Sequence, residues 1–437
     1  MFRHRTRTLL VGLLAGCLGV AACGGGGSGA QPGHTTITFW DDNGGADRTP
    51  LWRNIIAQFE QANPTITVRY VGIPASSVQQ KYDTAAAGGG LPDVGGVTTA
   101  FLADLAGQQA LAPLDDRLPG SDVAGKLGGG ALNLVRGAGP DGKLYELPLS
   151  ENIGMLWYRS AWFSQAALSP PATWDDFYRA VNTLTDRSKN RYGYTIRGGA
   201  GSIAPVLEEM YAQTGITTIF DRQGRATVDD QRNVAALQKI VGLYGKQTPS
   251  ADVNNDFTKM VAQYDGGTVA IMHHNLGSLQ NQVKAFGTAG ATAVPFPPSP
   301  NGVHTVVSNP IDGIGVFRSG KNQDAAWKFA DFVASAKING QWNQQVGQIP
   351  VNTDAARQPW IATVPPIHAA TAVLDDPKTK VVQLPYYLPQ FNSITKSESE
   401  PLYQQVLLGQ LSVKDFLGQL AGKLNDAQAQ WRQRHGG

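Results

Sequence analysis

The 437-residue sequence predicts an α/β protein built as two lobes. Three observations carry that expectation. Short stretches that alternate polar and apolar residues are interleaved with stretches of helical periodicity, and strand–helix–strand repetition at this spacing implies a mainly parallel sheet flanked by helices. Roughly 400 residues follow an N-terminal segment that does not read as part of the fold, ample for a packed core and more than one lobe usually holds. Both cysteines, Cys17 and Cys23, fall in that segment, so the folded part holds by packing, without a disulfide, a thiolate-bound metal or a thiol nucleophile.

The elements follow in order. Thr36-Ile37-Thr38-Phe39-Trp40 alternates as a strand does and runs into the turn cluster Asp41-Asp42-Asn43-Gly44-Gly45. Leu51, Ile55 and Phe59 share one helical face, and Asn63-Pro64 stops that helix. Ile66 to Val71 alternates again. Gln79 to Ala87 reads as a second helix ended by Gly88-Gly89-Gly90, and Pro92-Asp93-Val94 enters a third strand. Tyr145 to Pro148 and Met155 to Tyr158 are further strands. Thr173, with Asp176 three residues on, approximates a capping box, and Trp174, Phe177, Val181 and Leu184 form the buried face of the helix it opens. Ser412-Val413-Lys414-Asp415 repeats that start signal ahead of Phe416, Leu420 and Leu424. There is no internal repeat.

The N-terminal segment has its own logic. Arg3, Arg5 and Arg7 precede an apolar run from Leu9 to Val20, too short for a stable membrane span, and small residues follow; these are the marks of a secretory signal. Val20-Ala21-Ala22-Cys23 resembles the lipobox of bacterial lipoproteins, which implies cleavage after residue 22, acylation of Cys23 and a Gly-rich tether over 23–33. Leu14-Ala15-Gly16-Cys17 fits the same pattern; Cys23 leaves the longer apolar core and sits directly before the tether. Removing the three arginines leaves 33 basic against 34 acidic side chains, a balance of −1. Near neutrality without a basic block argues against nucleic acid as a partner.

A family resemblance rests on the order of several motifs. They run from Trp40, through Phe59-Glu60-Gln61-Ala62-Asn63-Pro64 and Pro92-Asp93-Val94, to Gly142-Lys143-Leu144-Tyr145-Glu146-Leu147-Pro148 and Leu156-Trp157-Tyr158-Arg159. Pro171 to Asp176, Tyr264 to Met272, Ala325 to Phe329 and Gly347 to Val351 follow. Together they resemble the solute-binding proteins of carbohydrate ABC importers, the maltose-binding-protein-like family, over nearly the whole chain after the tether. Arg159 stands where that family usually carries Asn. The resemblance implies a two-lobe, type II periplasmic-binding-protein-like fold with the ligand in the cleft between lobes. It places 34–146 and 309–356 in the N-terminal lobe and 147–308 and 357–437 in the C-terminal lobe. It also implies an ABC permease as partner, a monomer, an extracytoplasmic location with the lipid on Cys23 at the outer face of the membrane, and no cofactor.

A saccharide needs paired donors and acceptors for its hydroxyls and flat rings for its C–H faces. Trp40, Asp41, Asp42 and Asn43 offer both at the end of the first strand; the alternative makes Trp40 core and the acids a solvated turn. Glu151 and Asn152 follow Pro148 at the first expected crossing, where Glu151 accepts from hydroxyls or is an exposed loop acid. Arg197 offers fixed donors and Gly198 permits close backbone approach, or the pair is a surface arginine beside a plain turn. His273, His274 and Asn275 are placed where a strand delivers its loop to the cleft. Adjacent histidines on a strand face opposite ways and make a poor metal pair, so no metal is expected, and one of the two is expected in the cleft with the other packed or exposed. Asp312 and Gly313 lie at the second crossing, Asp312 as a ligand acceptor or as a turn residue. Tyr386 is a candidate stacking ring; Trp342 is assigned rather to core, as are Trp174 and Trp327, and Asp93 reads as structural.

The sequence has no nucleophile elbow, phosphate loop or zinc-protease motif, so no enzyme is expected. Two rivals remain. A lipid-anchored glycoside hydrolase would pair Asp41 with Glu151 or Asp312 across the cleft. A sensor lipoprotein would present the same closed cleft to a membrane receptor.

Overall fold

The computed structural model describes residues 33–435. The expected signal segment 1–22, the lipidation candidate Cys23 and nearly all of the tether lie outside the described residues. Among the described residues no helix is long and apolar enough to cross a membrane.

Among the described residues, twelve strands form two main sheets and a short pair. β1 (Thr35–Asp41), β2 (Ile66–Gly72), β3 (Val94–Thr98), β4 (Leu147–Glu151), β10 (Asp312–Val316) and β11 (Ile349–Pro350) make the first sheet, in the order β11-β4-β10-β3-β1-β2. β5 (Gly154–Tyr158), β6 (Tyr192–Thr195), β7 (Val269–Asn275) and β8 (Ala293–Pro295) make the second, in the order β6-β7-β5-β8. β9 (Thr305–Val307) pairs in parallel with β12 (Lys380–Val382). Helices cover both sheets, giving two lobes.

The first sheet is mixed. β1 runs parallel to β2 and β3, whereas β10 is antiparallel to β3 and β4, and β11 is antiparallel to β4. The physical reason is that β10 and β11 belong to the chain on its return from the second lobe. β4, expected in the second lobe, is hydrogen-bonded in the first sheet, so the chain crosses after Glu151, a few residues later than expected. It crosses back between β9 and β10, over Ser308–Ile311, and leaves the first sheet again after β11.

Local signals explain the elements. The helix Trp174–Thr183 begins at a true capping box, in which the Asp176 amide donates to Thr173 Oγ1 and the Thr173 amide donates to the Asp176 carboxylate, both at 3.1 Å. Asp415 N donates to Ser412 Oγ at the head of the helix Val413–His435. β1 is buried on both faces. Phe39 meets Trp52 and Phe329 on one side, with ring centroids 4.7 and 5.3 Å away, while Trp40 meets Tyr82 at 5.5 Å on the other. A strand covered on both faces carries rings on both. In the second lobe the alternation of β5 sends Leu156 into one core and Met155 and Trp157 into another.

Candidate functional site

The carboxyl ends of β1, β4 and β7 and the amino end of the reversed β10 converge on one cleft between the lobes, with a volume of about 560 Å³. Strand ends of this kind are where α/β sheets hold ligands.

The first-lobe wall starts from the loop after β1. Gly44 packs so closely on Gly72 that a Cβ would lie 2.4 Å from the Gly72 Cα, and the Gly44 amide donates to Ile73 O. That contact folds the loop over, and Asn43, Asp47 and Arg48 line the cleft. The Arg48 guanidinium lies 5.3 Å from the centre of the Trp342 ring and 3.9 Å from Asp312 Oδ2. Gln348 Nε2 donates to the same carboxylate at 3.0 Å. Asn152 completes this wall.

The second-lobe wall carries Phe257, His274, Asn275, Gln280, Asn281 and Lys284. The His274 ring lies 4.4 Å from that of Phe257, and its Nδ1 is 2.8 Å from Ser278 Oγ. Burial, together with the charges of Arg197 and His273, pulls its pKa down to about 3, so the imidazole is neutral and free to donate or accept. Asn275 is fixed at both ends: Nδ2 donates to Asn309 Oδ1 at 2.9 Å, and Oδ1 accepts the Gly277 amide at 3.0 Å.

Behind this wall lies a buried ionic group. His273 Nδ1 is 3.0 Å from Glu209 Oε1, and Nε2 is 3.0 Å from Glu208 Oε2. Burial disfavours the imidazolium, but the two carboxylates outweigh it and carry the pKa to about 9. Asn309, on the return crossing, donates to Glu208 Oε1. A continuous hydrogen-bonded path therefore runs from Asn275 in the cleft, through the crossing, to this triad.

Of the sequence candidates, the structure brings Asn43, Asn152, His274, Asn275 and Asp312 to the cleft. Arg197 is half-buried beside Gly201, its Nε donating to Ala200 O, and it forms no ion pair among the described residues. Tyr386 lines a separate inter-lobe compartment.

The others are corrected. Trp40 is core: it is buried against Tyr82, with Lys81 Nζ 4.7 Å from its ring centre. Asp41 is buried and accepts from Tyr70 Oη at 2.7 Å and from the Asn43 amide, which makes it a brace for the loop. Asp42 lies over Gly96, where a Cβ would meet its Oδ1 at 2.3 Å. Burial and the charges of Asp312 and Asp41 push its pKa up to about 7. Glu151 alternates away from Asn152 and does not line the cleft; burial and Asp375 push its pKa up to about 7. Gly198 is tight for packing, since a Cβ would lie 2.6 Å from Asp252 O and 2.7 Å from Leu407 Cδ1. Gly313 has the same reason, facing the Glu146 side chain and Leu147 O at 2.8 Å. His273 turns inward because β7 continues through Asn275, and neighbouring side chains on a strand face opposite ways. The hydrolase pairing loses its geometry too, because of its three acids only Asp312 lines the cleft. Asp93 and Trp342 are structural, as read: Asp93 accepts the Thr38 amide, and Trp342 packs on Trp52 at 4.4 Å. Arg159 spends its guanidinium on the carbonyls of Val269, Tyr264 and Asp265.

Sequence reasoning missed Arg48, Gln348, Phe257 and the Gln280, Asn281 and Lys284 cluster. The last had a legible signal, since Lys284 follows Gln280 by four residues and Asn281 by three, the spacings at which helix side chains are neighbours. Arg48 directly follows the turn cluster, but nothing local says which way it points.

Comparison with known proteins agrees with this geometry. The profile of the bacterial extracellular solute-binding protein family matches residues 45–340. A binding protein of Brucella abortus (strain 2308) is 26% identical, over 91% of this chain and 93% of its own. The GacH receptor of Streptomyces glaucescens GLA.O, solved unliganded and with acarbose, superposes with a TM-score of 0.77 at 24% identity, covering 91% of this chain and 99% of that one. Maltose-bound MalE3 of T. maritima gives 0.75 at 20% identity, covering 89% and 99%. With two lobes, a polar cleft at their strand ends and a family match over most of its length, the chain belongs to the bacterial extracellular solute-binding proteins.

Proposed function

We propose that this solute-binding protein captures a neutral carbohydrate, a di- or oligosaccharide, outside the membrane by lobe closure and delivers it to an ABC permease. One observation carries the reading: the make-up of the cleft. Two acids, Asp47 and Asp312, balance two bases, Arg48 and Lys284, and seven carboxamides accompany them, including Asn43, Asn152, Asn275 and Gln348. Each carboxamide presents both a donor and an acceptor, as a hydroxyl does, so the wall matches a polyol edge without demanding charge. The acarbose- and maltose-bound relatives of the same fold are consistent with that chemistry. Closure about the crossings at Asn152–Ile153 and Ser308–Ile311 would bury the cargo and create the face a permease reads. Acylation of Cys23 would hold a monomer at the outer membrane face.

The test is a thermal-shift screen of the protein against mono-, di- and oligosaccharides, amino sugars and glycerophosphodiesters. A ligand that binds only the folded state adds ~2.7 kcal/mol at a hundred times its Kd. A selective rise in Tm with one sugar class supports the reading. Silence across the panel, with no retained ligand in the mass spectrum of the denatured protein, overturns it. Mass spectrometry of the N-terminal peptide from membrane-expressed protein tests the lipid: an unmodified Cys23 rules out acylation there, and an acylated N-terminus at Cys17 would move the anchor to that residue.

A further inference from the structure

The space between the lobes has a second compartment, separated from the first by the return crossing, and Pro310 lines both. Its volume is about 150 Å³. Ile203 and Leu207, on the helix Ile203–Thr214, form one side, and Leu384, Tyr386 and Phe391 form another. Ala100 of the first lobe closes it from across the gap. Ile203, Leu207, Leu384 and Phe391 are each no more than 4% exposed, and the Tyr386 and Phe391 rings meet edge to face at 5.3 Å.

Three of the polar side chains at its rim are engaged, whereas the exposed Lys396 and the Tyr386 hydroxyl have no hydrogen-bond partner among the described residues. Asn392 Nδ2 donates to Ala100 O, Thr395 Oγ1 donates to Phe391 O, and Glu400 Oε1 accepts the Gly201 amide. A sugar hydroxyl buried among Ile203, Leu207, Leu384 and Phe391 would face apolar side chains, and an unpaired buried polar group is unfavourable. The neighbouring compartment, with its seven carboxamides, is the opposite. An apolar space of this size lined by Leu, Ile and Phe side chains accepts a benzene-sized molecule.

We propose that this second compartment receives a small apolar substituent carried by the cargo, an aryl or branched-alkyl group of about benzene size, so that the cargo is a glycoside rather than a bare sugar. The inference rests on the carbohydrate reading of the first compartment and names what is attached to that carbohydrate. The polar compartment holds the glycone by hydrogen bonds. Pro310 marks where the glycosidic link passes from one compartment to the other. Closure of Ala100 over the apolar group then excludes water from it.

The experiment measures Kd by isothermal titration for maltose and cellobiose, each against its phenyl glycoside, with toluene as a probe that carries no sugar. The expected result is a phenyl glycoside at least tenfold tighter than its parent, and a toluene-induced rise in Tm. Ala204 lines the mouth of the compartment and is exposed, so Ala204→Trp blocks the space without disturbing the core. That variant should bring each parent and phenyl pair to similar affinity and abolish the toluene effect. Phenyl glycosides that bind no tighter than their parents overturn the inference and leave the carbohydrate reading standing. So does a phenyl gain that survives Ala204→Trp. Toluene binding with no response to any saccharide or glycoside overturns the carbohydrate reading itself, and the glycoside assignment falls with it.

Discussion

Glu146 is a buried acid without a partner among the described residues, and replacing it with glutamine should stabilise the protein in a way that pH controls. The residue is fully buried just before β4, and neither carboxylate oxygen has a hydrogen-bond partner among the described residues. Burial raises its pKa well above the usual carboxylate range, and the nearby charges of Asp312 and Asp42 push the same way. A carboxyl whose native pKa exceeds its unfolded value, about 4.3, binds more protons folded than unfolded throughout the window between the two. Stability therefore falls as pH rises through that window, by ~1.4 kcal/mol per pH unit for one proton. Glutamine has nearly the same shape and does not titrate, so Glu146→Gln removes that slope. From pH 5 to pH 7 the variant should gain up to ~2.7 kcal/mol relative to the parent, with little difference below pH 4.5. Asp41 and Asp42 titrate in both proteins and largely cancel from the comparison. Urea unfolding of both proteins at pH 4.5, 5, 6 and 7 gives the two profiles. Parallel profiles, or a variant less stable at pH 7, would refute a protonated, unpartnered Glu146.

Three further outcomes follow from the same geometry. Trp40→Ala should cost ~3–5 kcal/mol in urea unfolding, as a large buried ring does, while the cargo Kd of the folded protein stays put; a selective loss of affinity would return Trp40 to the cleft. His273→Gln leaves Glu208 and Glu209 buried without their shared cation and should cost ~3–5 kcal/mol. Because the native pKa of His273 is raised to about 9, its contribution in the parent is complete below pH ~6.5 and is lost as pH rises through 9, so a flat stability profile from pH 7 to 10 would contradict the ionic triad. Asn275→Ala removes a cleft donor and the link to Asn309, and titration should show cargo Kd rising about five- to tenfold, the equivalent of one hydrogen bond; an unchanged Kd would take Asn275 out of the site.

The architecture and the candidate site differed in how far the sequence exposed them. Alternation in Thr36–Trp40 and Ile66–Val71, helical spacing at Leu51, Ile55 and Phe59, and the Thr173 box are local patterns. They produced β1, β2 and two helices close to their observed bounds, because such signals depend only on neighbours within a turn or two. The order of motifs carried the two-lobe family assignment on the same footing. Direction was harder. Whether Trp40 faces the cleft depends on whether a helix covers that side of β1, and the helix Val78–Gly88 does so with Tyr82. Whether Glu151 or Asn152 enters the site depends on where β4 ends, since one residue of shift reverses a strand's faces. The end of β7 sorted His273 from His274 in the same way.

The sequence alone placed both cysteines within the first 23 residues and alternated strands and helices in the order of a solute-binding protein. Those are properties of composition, periodicity and short-range spacing. Only the tertiary structure decided that Arg48 and Gln348 converge on Asp312, that seven carboxamides share one wall-to-wall cleft, and that an apolar compartment lies beyond Pro310. Each of these joins residues hundreds of positions apart, and only the crossings and the packing of side chains bring them into contact.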